Sequence, residues 1–109
     1  MDNKPKHRKE HLTEAIKNYA GDFFARNSSG GSLITVTNVF IYDDMKNADI
    51  FISVLPESKS EAALNFAKRQ RTELQKYVYT KIRVHTLPFF DILLDKTERM
   101  YAKVVKLKK

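Results

Sequence analysis

The sequence predicts a single α+β domain built in the order helix, strand, strand, long helix, strand, short helix. Three observations carry that expectation: apolar residues at helical spacing near the start, two β-branched runs joined by a short polar link, and a longer helical stripe opening after a proline. At 109 residues the chain fits one domain that buries roughly two thirds of the surface exposed by its unfolded form, enough for a core without staples.

Leu12, Ala15, Ile16, Tyr19, Ala20 and Phe23 recur at spacings of three and four, so residues of about 6–26 form a helix with one face on a core. Residues 27–32, NSSGGS, combine glycines with small polar side chains and make a loop. Residues 33–42 (LITVTNVFIY) and 48–55 (ADIFISVL) are rich in β-branched and aromatic side chains, and Ile50, Ile52 and Val54 share one face. The polar link at 43–47 is too short for a crossover, so these strands pair as an antiparallel hairpin.

Pro56 ends the second strand. Ser58, with Glu61 three residues later, makes a capping box that opens a long helix reaching about Ile82. On a helical wheel Ala63, Phe66, Ala67, Gln70, Leu74, Tyr77 and Val78 fall within about a third of a turn, as a core face should. Pro88 then punctuates, residues 89–95 (FFDILLD) form a third strand, and residues 97–107 form a short helix with a basic tail. One domain is expected over residues 1–109, with residues 1–5 and 106–109 as flexible basic ends. An RNA-recognition motif is excluded by this order, since it begins with a strand and carries two βαβ halves.

Several function classes fall away on composition. With no cysteine there are no disulfides, thiolate metal sites or cysteine nucleophiles, and a reducing cytoplasm is the expected setting. Met1 to Glu10 lacks the apolar centre of a signal peptide, and no apolar run approaches the roughly 20 residues that cross a bilayer. Phosphate-cradling loops need glycines at fixed offsets, but only Gly21, Gly30 and Gly31 are present, so no nucleotide cofactor or small-molecule substrate is expected. His7 and His11 sit one helical turn apart without a third ligand at usable spacing, and three histidines in such settings make no catalytic triad. Asp43, Asp44 and Asp49 could hold magnesium for an RNase reaction, but Asp43 and Asp44 are better explained as turn residues bonding their own backbone. Asp91 and Asp95 flank a strand, where a polar position facing outward is the default.

Charge is the strongest signal. Twenty Lys plus Arg against 13 Asp plus Glu give a net charge of +7 and a pI near 9.7, which points to an anionic partner but also suits plain solubility. The charge is segregated: residues 68–109 hold 12 basic and 4 acidic residues, +8, whereas residues 27–67 hold 2 basic and 5 acidic, −3. Lys68, Arg69, Arg71 and Lys76, then Lys81 and Arg83, project from one side of the long helix and its exit, spaced to meet a nucleic-acid backbone. Only Glu73 interrupts the row, so the salt-bridge lacing of an ordinary solvated helix is not expected. His85, between the helix and Pro88, is a packed or RNA-facing residue rather than a general base.

Several short motifs follow one another in order over most of the chain: Val36, Thr37, Asn38 and Val39, then Asp44 and Met45, then Ala48 in the first half, and Leu64 and Asn65, then Arg71, Glu73 and Leu74, then Arg83, Leu87 and Pro88, then Asp95 with Thr97 in the second. Their order and spacing resemble the V-T-x-V, D-L and following alanine, and the L-N, R-x-x-L, R-x-R-x-x-P and D-x-S, of the ribosome-binding factor A family. The resemblance implies a type II KH-like fold lacking the GXXG loop of ordinary KH domains, with an Ala-x-Gly kink between the second and third helices. Here Phe66, Ala67 and Lys68 fill the kink positions, and without glycine a bend needs tertiary contacts to impose it. His85 takes the place of the family's second arginine before the proline, which would make an RNA contact weaker or pH-sensitive.

The function implied by the resemblance is late maturation of the small (30S) ribosomal subunit, including 16S rRNA processing, by a monomeric, non-enzymatic, cytoplasmic factor that binds 16S rRNA. Lys68, Arg69, Arg71, Lys76, Lys81, Arg83 and His85 are the expected RNA-binding residues, with Arg71 and Arg83 as the positions matched to the family. Two rivals stand beside this reading: a basic DNA-binding or nucleoid-associated protein using the same helix, and a metal-dependent RNase using Asp43 and Asp44.

Overall fold

The computed structural model describes residues 5–27 and 31–96. Helix α1 (Pro5–Arg26) is followed by the strands β1 (Leu33–Ile41) and β2 (Asn47–Leu55), the helices α2 (Ser60–Arg69) and α3 (Arg71–Lys81), and the strand β3 (Phe89–Leu94). The expected C-terminal helix and the flexible ends expected at 1–5 and 106–109 lie outside the described residues, except Pro5, which opens α1 and so corrects that end by one residue.

The sheet runs β1-β2-β3, with β1 antiparallel and β3 parallel to β2. A hairpin joins β1 to β2, as its short link requires: the Met45 N–H donates to the Tyr42 carbonyl at 2.8 Å and the Tyr42 N–H to Asn47 at 3.0 Å. Asp44 accepts the Lys46 N–H at 2.8 Å, the local side-chain bond that makes Asp a turn residue. The chain returns parallel to β2 only after α2 and α3 have crossed the sheet, the connection that a parallel pair demands.

All three helices cover one face of this sheet. Ile34, Val36, Val39 and Ile41 of β1, the even-numbered residues of β2 from Ala48 to Val54, and Phe90 and Ile92 of β3 are buried beneath Ile16, Ala20, Phe23 and Phe24 of α1 and Ala63, Ala67, Leu74 and Val78 of α2 and α3. No polar side chain is buried among the described residues. Buried positions in β1 change from even to odd across a bulge: Val36 pairs with Ile52 and Asn38 with Phe51, leaving Thr37 as the extra residue. Without that insertion Val39 and Ile41 would turn to the other face.

One local expectation is corrected, and the bend left open between the second and third helices is answered. Ser58 and Glu61 do not form a capping box. A 3-10 turn at Glu57–Lys59 intervenes, closed by the Lys59 N–H on the Pro56 carbonyl at 2.9 Å, so α2 begins at Ser60 with no side-chain cap. The long helix is also not continuous. It breaks at Gln70, with φ −86° and ψ 1°, whose N–H is shared between the carbonyls of Phe66 and Ala67 at 3.1 Å each. That shared bond is the tightening typical of a helix end. The break falls beyond Lys68, the position that the family fills with glycine. Ala67 and Leu74 are separated by about two helical turns, so the apolar stripe carries through the break and holds both helices on the sheet.

Candidate nucleic-acid interface

The basic row rests on the geometry of α2 and α3. Ala63 and Ala67 face the sheet from α2, and Leu74 and Val78 do so from α3, which turns Lys68, Arg69 and Lys76 outward. These three, with Lys81, Arg83 and His85 at the exit of α3, are all exposed. They are the part of the expected set that is presented to solvent on the helix layer.

Arg71 behaves differently. At the first position of α3 it is half-buried, its guanidinium 4.6 Å over the centroid of the Phe89 ring and 3.9 Å from the Asp91 carboxylate. Stacking and ion pairing both hold it toward β3, so part of its donor capacity serves the fold. Lys76 lies 3.9 Å from Glu73, which corrects the expectation that the row carries no salt-bridge lacing. The pair is exposed and contributes little to stability. The Lys81 ammonium stands 5.3 Å over the Tyr77 ring. His85 meets the helix through its backbone, its carbonyl accepting the Tyr79 hydroxyl at 3.4 Å.

The helix layer is tied together beneath this row. The Tyr77 hydroxyl of α3 donates to Asp22 of α1, which also lies 3.4 Å from Arg26. The hydrogen bond to Asp22, then desolvation, raise the Tyr77 pKa above the ordinary tyrosine value. Phe23 packs on Tyr77 at 5.7 Å and on Phe24 at 5.3 Å. Gln75 reaches the start of β3, where its amide donates to the Pro88 carbonyl and accepts the Phe90 N–H.

The acidic residues considered for magnesium have other partners. Asp43 pairs with Lys9 of α1 at 3.0 Å, Asp44 holds the hairpin turn, and Asp49 accepts the Tyr42 hydroxyl at 2.7 Å, a bond that raises the Tyr42 pKa. Among the described residues no three His, Cys, Asp or Glu side chains are grouped as metal ligands would be. No helix among them is long and apolar enough to cross a membrane.

The motif residues are mostly structural. Val36, Val39, Ala48, Leu74 and Pro88 are buried. Thr37, the bulge residue of β1, donates its hydroxyl to the Asp95 carboxylate across β2, while the Asp95 N–H donates to the Ile52 carbonyl at 2.7 Å. The two motifs that contain Thr37 and Asp95 therefore meet in space. Charge periodicity had no means of marking this tie or the Arg71 stack.

Comparison with known proteins agrees with this architecture. A crystal structure of ribosome-binding factor A from Thermus thermophilus superposes with a TM-score of 0.72 at 21% identity, covering 82% of this chain and 97% of that one. Its KH-like fold is shared here. A ribosome-binding factor A from Coprothermobacter proteolyticus is 28% identical over 102 residues, 92% of this chain and 74% of that protein. One from Fervidobacterium nodosum is 33% identical over 66 residues, and that match spans about half of the relative's length, 53%. The model of the family described as ribosome-binding factor A matches residues 8–108. Matched over nearly its whole length and folded like a solved member, the chain belongs to the ribosome-binding factor A family.

Proposed function

We propose that this chain is a non-enzymatic assembly factor that binds 16S rRNA in the immature small ribosomal subunit and assists its late maturation, including rRNA processing. In this reading it acts in the cytoplasm as a monomer, with residues 1–109 as a single domain. The observation that carries it is the exposed set Lys68, Arg69 and Lys76, opposite the apolar stripe that fixes α2 and α3 to the sheet, continued by exposed Lys81 and Arg83 at the exit of α3. Rigid helices backed by a core hold cations at set spacing, and phosphate contacts need little more than that. Family membership supports the ribosome as the setting, and the charge supports RNA as the ligand.

The test replaces Lys68, Arg69 and Lys76 with Gln. All three are exposed, so the variant should melt near the parent, within about 0.5 kcal/mol. Parent binding to duplex RNA should weaken with salt at a log–log slope on the order of −4, and the variant's slope should be shallower by about 2 to 3 units. A control replacing Lys17, Lys46 and Lys59 removes the same charge elsewhere. Equal loss in both variants would reduce the effect to net charge. Sedimentation with small subunits, rather than capture of DNA, separates this reading from the DNA-binding rival.

A further inference from the structure

The face of the sheet turned away from the helices is not an ordinary polar surface. Five of the seven large exposed hydrophobics of the described chain, Leu33, Phe40, Tyr42, Leu55 and Phe89, lie on it or at its ends. Phe40, Tyr42 and Phe89 are 50, 42 and 53% exposed. The registers align Phe40, Asp49 and Asp91 across the three strands, and Asn38, Phe51 and Leu93 in the next row. Phe40 and Tyr42 meet edge to face at 5.1 Å on the β1 side, and Phe89 stands at the β3 side. An exposed apolar surface of this continuity marks an interaction site.

Charge decides what the occupant is. None of the three strands, LITVTNVFI, NADIFISVL and FFDILL, contains a lysine or arginine. Asp49 and Asp91 are direct register partners, and like charges placed side by side on a sheet oppose its stability. Lys9 and Arg71 approach the face from its two edges, and both are engaged: Lys9 on Asp43 at 3.0 Å, with Phe40 at 5.8 Å, and Arg71 on Phe89 and Asp91. A nucleic acid laid across the strands would set phosphates against the aspartates, despite the aromatic rings available for stacking. A second copy docked by the same face would bring this carboxylate pair against its own equivalent.

We propose that the open face docks a lysine- or arginine-rich polypeptide segment. A cation of that segment sits between Asp49 and Asp91, and its apolar side chains pack on Phe40, Phe51 and Phe89. Cationic side chains gain from both the carboxylates and the ring faces, while the aliphatic parts cover exposed apolar surface. The surface is separate from the basic row and does not depend on RNA binding there.

The test titrates the isotopically labelled full chain, followed by amide NMR, with a peptide of about 12 alternating lysines and leucines, long enough to cross the strands, and separately with oligouridylate of similar length. The peptide should move the amides of Asn38, Phe51 and Asp91, and the nucleotide those of α2 and α3. Replacing Asp49 with Asn should weaken the peptide about fivefold and leave the nucleotide unchanged, and F40S, which like Asp49 has no contact with Arg71, should do the same. The amide spectrum of each variant reports its folding. The proposal is overturned if the peptide leaves those amides unmoved or binds both folded variants as it binds the parent. It is also overturned if oligouridylate moves them, or if they shift with protein concentration alone, the sign of a second copy. Nucleotide binding nowhere would remove the RNA reading and leave the peptide result standing.

Discussion

Phe89 and Phe90 are neighbours in one strand, yet one is 53% exposed and the other fully buried. The pair shows how differently the two faces of this sheet are used. On the covered face, side chains from three helices fill the space against the strands, and among the described residues no polar side chain is buried there. On the open face, rings and carboxylates stand in solvent and meet mostly each other. Stability is therefore concentrated on one side of a thin sheet, and the other side is left free for recognition.

The sharpest way to break that contrast is to truncate each ring in turn. Phe90→Ala should cost about 3–5 kcal/mol, the range for emptying a closed aromatic site in a core. Phe89→Ala should cost only about 1 kcal/mol, since it removes an exposed stack on Arg71. Chemical denaturation of both variants checks the ratio, and comparable costs would mean that the open face is covered in solution.

A middle-sized effect is expected at the bulge that keeps the faces distinct. Thr37→Val retains the shape but removes the hydroxyl bonded to Asp95, and hydrogen bonds to charged groups are worth about 2 kcal/mol. The denaturation midpoint should fall with an unchanged slope. A loss near zero would show that register alone holds the bulge.

The smallest effect concerns the helix layer and appears only at high pH. Tyr77 has its pKa raised by its bond to Asp22, so the folded state keeps the proton after the unfolded chain has released it. The stabilisation is fully present below the ordinary tyrosine value of about 10 and is lost as pH rises through the raised value. Tyr77→Phe should lack this loss, so the melting temperatures of parent and variant should converge at alkaline pH. A constant gap across the titration would exclude Asp22 as the cause.

Much of this architecture was legible in the chain because periodicity reports which residues face a core. Ala63, Ala67, Leu74 and Val78 were identified in that way, and so was the hairpin, from the shortness of its link. Phe24 was missed, since the stripe of α1 was read as ending at Phe23, although the packed helix buries both rings. The capping box failed because a turn absorbed Ser58 before the helix began, and the break at Gln70 left no mark that composition could show. For the candidate site, Lys68, Arg69, Lys76 and Arg83 followed from charge and helical phase. Arg71 did not, because its partners Phe89 and Asp91 become neighbours only when β3 returns to the sheet. The aromatic face was hidden for a related reason: alternation tells which side chains point away from the helices, but not whether another layer lies over them.

The reach of Gln75 to β3 bears on how the molecule behaves in a crowd of its own copies. The N–H groups of Phe89 and Asp95 point toward β2, so those of Phe90, Ile92 and Leu94 point outward by the alternation of the strand. Outward N–H groups are what a foreign strand would seize to lengthen a sheet. Here the Phe90 N–H is held by the Gln75 side chain, 3.2 Å away, and the Ile92 N–H by its neighbour Asp91, at 2.9 Å. Two of the three outward donors of β3, those of Phe90 and Ile92, are thus spent within the chain. A partner can lie across the open face of this protein, but along most of the β3 edge it finds few free donors with which to extend the sheet, and that blunts pairing of newly made copies through this edge.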